Sequence, residues 1–290
     1  MIRKSIALCS AGVLALALPR AGLGQGADLS GIAGLLDKTV SSIVTVKVVL
    51  KIEIGIMGQA QNEELRSELQ GVVVDDTGLI MISNAEISSD RIMEALSNTG
   101  NPMMASVDLT MTPTDFKVIF GTEEDEYDAF LVAKDTKLDL AFLQVTGITD
   151  RTLIAINFTE GATPAVGDTV VAIGRLKKGY DYAPFAATAR VSGAIRKPRK
   201  AWILDGNITS YGLPVFSSSG DVIGVLITLA PTTTDDSGGS SVGGLMRMLR
   251  SGGMESGAGT FILPAKVVNG LITQSRVKAE ELLQEQAGGG

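Results

Sequence analysis

The sequence predicts an all-β chain of antiparallel barrels or sandwiches, on three observations. Apolar residues come mostly in short runs, the length of strands rather than of helices. Turn residues punctuate those runs. Little helical spacing lies between them, which argues against a parallel α/β sheet.

Each element follows from its own pattern. Ile32, Leu35 and Leu36 within Leu29–Val40 give a short N-terminal helix. Val44, Val46, Val48, Leu50, Ile52 and Ile54 then alternate with Thr45, Lys47, Lys51 and Glu53, the period of a half-buried strand. Gly71–Val74 and Leu79–Ile82 flank Asp75-Asp76-Thr77-Gly78, a hairpin with turn residues at its tip. Residues 88–113 open with helical spacing at Ile92, Met93 and Leu96 and then turn polar, which marks an insertion. Phe116–Phe120 and Tyr127–Ala133 flank the acidic stretch Gly121–Glu126 as a second hairpin. Leu140–Val145, Thr169–Ile173, Ala187–Val191, Val222–Leu229 and Thr260–Leu263 are further strands. A second insertion, 231–259, is rich in Thr, Ser and Gly, and a helix over Ala265–Gln286 closes the chain.

Composition removes much chemistry. The 290 residues include no histidine, so imidazole bases, imidazole metal ligands and every Ser-His or Cys-His pair are excluded. One cysteine, Cys9, permits neither an internal disulfide nor a thiolate zinc site. The acidic run Glu123–Asp128 lacks the ligand spacing and glycine of a calcium loop and reads as a solvated turn. No metal and no cofactor is expected.

Residues 1–24 read as a signal peptide. Arg3 and Lys4 precede an apolar run, Ile6–Leu18, whose 13 residues span about 20 Å as a helix, short of a hydrocarbon core of about 30 Å. Small residues follow, and cleavage near Gly24 would send the protein to the periplasm or the extracellular space. An uncleaved segment would be a membrane tether, the one route to membrane contact. Cleavage would remove Arg3, Lys4 and Arg20, leaving 22 of the 25 basic residues against 32 acidic ones, a formal charge of −10. Such a chain has no general attraction for nucleic acid, and its one basic run, Arg196–Lys200, reads as a solvated loop.

Several segments, in order, resemble the trypsin-like serine proteases of the bacterial HtrA type. Gly71–Ile87 is similar to the strand pair that leads into the family's catalytic histidine, and Phe116–Val145 to the segment that carries its aspartate. Val166–Gly174 and Thr188–Gly193 match strands that open the second barrel. Tyr211-Gly-Leu-Pro-Val-Phe216 with Gly220–Gly224 resembles the nucleophile loop and its hairpin. The resemblance covers roughly residues 35 to 275, less the insertions, with no PDZ-like stretch after it. It implies a trypsin-like double antiparallel β-barrel over residues 25–290, with a short N-terminal and a C-terminal helix.

The same resemblance assigns positions in the site. Asp139 falls on the triad aspartate, Ala85 on the histidine and Tyr211 on the serine. Thr209 and Tyr211 occupy the oxyanion-hole positions, where the family uses glycine at the first. Leu213 replaces another glycine and is expected to crowd the cleft. Two of three triad members are absent, and loss of such a member costs about 10⁶-fold in turnover. A pseudoprotease that binds a peptide or protein partner is therefore expected. Two rivals stay open. One is an endopeptidase using Ser210 with Lys177, Lys178 or Lys200 as base. The other is a structural subunit of a cell-envelope complex. Tyr211 is expected to fill the cleft and to hydrogen-bond Asp139.

Overall fold

A computed structural model of the chain describes residues 29–56, 59–90, 93, 107–149, 151–197, 199–206, 208, 210–229 and 259–288. The proposed signal peptide, almost all of 231–259 and most of 88–106 lie outside the described residues. Two closed antiparallel barrels of six strands make up the fold.

Helix α1 (Leu29–Thr39) leads into the first barrel. Its strands are β1 (Ile43–Ile56), β2 (Gln59–Val73), β3 (Leu79–Ser83), β4 (Val107–Phe120), β5 (Tyr127–Asp135) and β6 (Leu140–Val145). Their order around the wall is β1-β2-β3-β6-β5-β4. The second barrel holds β7 (Thr169–Arg175), β8 (Pro184–Ile195), β9 (Ala201–Asp205), β10 (Pro214–Ser217), β11 (Val222–Leu229) and β12 (Gly259–Pro264). It repeats the same topology as β7-β8-β9-β12-β11-β10. Helix α2 (Ala265–Gly288) follows β12 without a break.

Three apolar clusters explain the sequence pattern. Val44, Val46, Val48, Leu50, Ile52 and Ile54 all enter the core of the first barrel, as their alternation requires. The unalternating runs are strands buried on both faces. In β3, Ile80 and Ile82 face the first barrel, while Leu79 and Met81 face the layer between the barrels. In β6, Ala141 and Leu143 face the barrel, and Leu140 and Phe142 face that layer. Strand β7 does the same from the other side, with Val170 and Ala172 inside the second barrel and Val171 and Ile173 between the two. Val268 and Ile272 of α2 join this middle layer, so the helix seals the barrels together. Arg276 of α2 also pairs with Asp75, in the β2–β3 turn.

Some strands exceed their sequence signal. Residues 59–70 of β2 are mostly polar, yet pair with β1 along its whole length, from Ile43↔Val72 to Ile56↔Gln59. Backbone pairing, rather than burial, holds this arm, so alternation could not announce it. Strand β4 begins at Val107, inside the expected 88–113 insertion. Its outer half pairs with β1 alone, which leaves Pro113 free of a second ladder. Between Val48 and Val49 the register shifts, and Asp115 is the extra residue, at φ 49. Such a bulge bends the strand locally and raises its twist.

Candidate functional site

The two barrels meet where the end of β3 faces the loop before β10. Gly212 makes that approach possible. It lies at φ +75, and a Cβ added there would sit 3.0 Å from the Ser83 backbone nitrogen. The Gly212 N–H donates to the Leu226 carbonyl at 2.8 Å, and the Leu226 N–H to the Leu213 carbonyl at 2.9 Å. Tyr211 and Ser210, both half-buried, thus stand beside the turn Asn84–Glu86 that ends β3. Thr209 lies outside the described residues.

Asp139 is the centre of the first barrel's side of the site. It is fully buried and takes a left-handed conformation, φ 59, which an aspartate tolerates better than a branched residue. Three bonds fix it there. Asn84 N–H donates to the Asp139 carbonyl at 3.1 Å, and Ala85 N–H to Asp139 Oδ1 at 2.6 Å. The Ser83 hydroxyl donates to the same Oδ1 at 3.2 Å. The carboxylate therefore closes the end of β3 onto the β5–β6 turn, and bonds of this charged kind are short and strong.

Ala85 gives Asp139 only its backbone. The charge of Asp139 also acts on the Glu86 side chain, one residue on. Burial of the Glu86 carboxyl, then the charge of Asp139, push its pKa up to about 8, against a smaller opposing pull from Lys177. Its Oε2 is enclosed without a hydrogen-bond partner, so at neutral pH the carboxyl is mostly protonated. Two carboxyl groups thus belong to the site, neither able to act as an imidazole. The resemblance had drawn attention to position 85. The sign that points to 86 is that it holds the one ionisable side chain in the Ser83–Ile87 stretch.

The Leu213 expectation fails. Its side chain is fully buried among Val170, Val215 and Ile262 in the second barrel's core, so it points away from the cleft it was expected to crowd. A leucine fits because the pleat after Gly212 directs this position inward. Of the lysines considered as bases for Ser210, Lys200 lies with its Nζ 5.3 Å over the Trp202 ring, and Lys177 and Lys178 are exposed. Among the described residues no hydrogen bond joins Ser210 to a lysine.

Residues 70–225 match the family model described as a trypsin-like peptidase domain. No curated protein matches the chain significantly.

Proposed function

Since the chain belongs to the trypsin-like peptidase domain family, we propose that it is a catalytically inactive, HtrA-type member that is exported and uses its cleft to bind a peptide or protein partner. One observation carries the reading: the triad position that bonds Asp139 is Ala85, with the buried Glu86 carboxyl next to it, in a chain without histidine. On this reading Ala85 holds the place of the family's imidazole, and Tyr211 the place of its nucleophile. A protonated carboxyl with pKa about 8 has no lone pair comparable to an imidazole's for taking a hydroxyl proton at neutral pH. A phenol at Tyr211 is a bulkier and differently placed nucleophile than a serine hydroxyl. The retained Asp139 then serves as a structural acceptor that closes the turn, a role that its three bonds support. Export rests on the N-terminal apolar run alone, and the HtrA type on the motifs in the sequence.

Fluorescent casein tests the inactivity. Purified protein is expected to turn over no more casein than a Ser210→Ala/Tyr211→Ala variant prepared in parallel. Turnover that disappears in the variant would instead establish a histidine-free endopeptidase on this fold. Ser210→Ala and Tyr211→Phe tested singly would then say which hydroxyl reacts.

A further inference from the structure

The loop between β7 and β8, residues 176–183, is a surface segment held by many bonds. Asp181 and Tyr182 both take positive φ, 55 and 51, in succession, although neither is glycine. Such conformations are strained and persist where surrounding bonds enforce them. Here the bonds are many. Leu176 N–H donates to the Ala183 carbonyl at 2.9 Å, and Ala183 N–H to the Tyr180 carbonyl at 3.0 Å. The buried Arg175 guanidinium donates to the carbonyls of Tyr182, Ile43 and Val40. Gln70 and Glu68 of β2 accept from the backbone N–H groups of Arg175 and Lys178, so the first barrel holds the loop of the second.

Register places this rigid loop at the cleft. Strand β10 runs antiparallel to β7, with Val215 opposite Ala172 and Ser217 opposite Val170. The Tyr211–Leu213 end of β10 therefore lies level with the Gly174–Arg175 end of β7, where the loop starts. The charge of Lys177 also reaches the Glu86 carboxyl. What the loop presents is unusual for an acidic chain. Lys177 and Lys178 are exposed and form no ion pair among the described residues. Tyr180 is 70 % exposed and Leu176 39 %, among the few large apolar side chains left in solvent.

Resting on the binding role above, we propose that the 176–183 loop is a preformed docking rim of the cleft that recognises an extended peptide segment carrying acidic residues next to an apolar one. Lys177 and Lys178 meet the carboxylates, and Leu176 and Tyr180 cover the apolar side chain. The strain is spent in advance, so no loop ordering opposes binding. In a chain whose formal charge is −7, two unpaired lysines beside the cleft select an acidic segment locally while the rest of the surface repels it.

Panning a randomised peptide library on the full chain tests this, followed by fluorescence anisotropy of the strongest selected peptide. The enriched peptides are expected to hold Asp or Glu beside an aromatic or aliphatic residue. Lys177→Glu/Lys178→Glu is expected to weaken the selected peptide at least tenfold, and Tyr180→Ala severalfold. A charge-reversed peptide with Lys for Glu should regain affinity for the double variant. All these side chains are exposed, so thermal unfolding should confirm intact folds. Enriched peptides of basic or purely apolar character, or affinity indifferent to these substitutions, would overturn the loop's role and leave a binding cleft elsewhere. A selection that enriches nothing would sink the loop and the peptide-binding reading together. Casein turnover would remove only the inactivity.

Discussion

The two barrels share a strand order but not a manner of reaching the site. In the first, β1, β2 and β4 run 14, 15 and 14 residues, and their outer halves still send Ile52, Ile54 and Leu109 into its core. Its share of the site is a tightly bonded turn, with Asp139 fully buried and Glu86 beside it. The second barrel is built of shorter pieces, with β9 of 5 residues and β10 of 4, and brings Tyr211, Ser210 and the strained 176–183 loop. The lesson lies in how much each half tolerates. The topology is held by dozens of alternating apolar side chains, while the chemistry of a protease rests on three. On the proposed reading, two of those three are replaced with no strand disturbed, and Asp139 stays as an acceptor for the turn that ends β3.

The largest test of the second barrel's construction is Gly224. A Cβ there would lie 1.8 Å from the Leu263 carbonyl oxygen, across the β11–β12 ladder. Gly224→Ala is expected to cost more than about 3 kcal/mol, or to prevent folding, because a backbone atom cannot step aside. Gly34→Ala on α1, with nothing within 4 Å of the added methyl, should be neutral to mildly stabilising in the same urea titration.

Glu86 gives the first barrel a pH signature. Its folded pKa, about 8, exceeds the ordinary carboxyl value, so the folded form binds the proton more tightly than the unfolded one. The stabilisation is full below the unfolded pKa and is lost as pH rises towards 8. Its slope there is at most about 1.4 kcal/mol per pH unit. Thermal melts between pH 5 and pH 8.5 should show this fall, and Glu86→Gln should flatten it. An unchanged slope in the variant would mean that the carboxyl is not buried as described.

Arg175 joins the halves, and Arg175→Met should cost about 2 kcal/mol by leaving three buried carbonyls without their donor. A subtler test concerns burial at position 86. In Glu86→His the imidazole should titrate below its usual range by NMR, since burial, the larger effect there, disfavours its charged form against the opposing pull of Asp139. At the small end, Lys278→Ala removes an exposed ion pair to Glu281 within one helix and should change stability by less than about 0.5 kcal/mol.

The fold was largely legible in the chain itself. The alternation from Val44 to Ile54, the hairpin around Asp75–Gly78 and the strand Leu140–Val145 appear in the structure essentially where their patterns put them. The outer half of β2, the beginning of β4 and the whole of β9 were not legible. Their residues are mostly polar, or follow a proline and a basic run, so the few side chains they bury, such as Leu109 and Trp202, leave no periodic signal. In the site, the missing histidine could be read directly, but the buried Glu86 carboxyl next to Ala85 could not, because burial depends on the fold rather than on the order of residues in a three-residue turn.

By itself the sequence determined an all-β chain and the absence of imidazole chemistry, because strand period and composition are properties of residues in order. Tertiary structure alone decided that the Glu86 carboxyl is buried within reach of the Asp139 charge, that Leu213 turns into the core and that the 176–183 loop is braced by β2. Each depends on groups from distant parts of the chain sharing one small space, where burial and charge act through distance rather than through sequence.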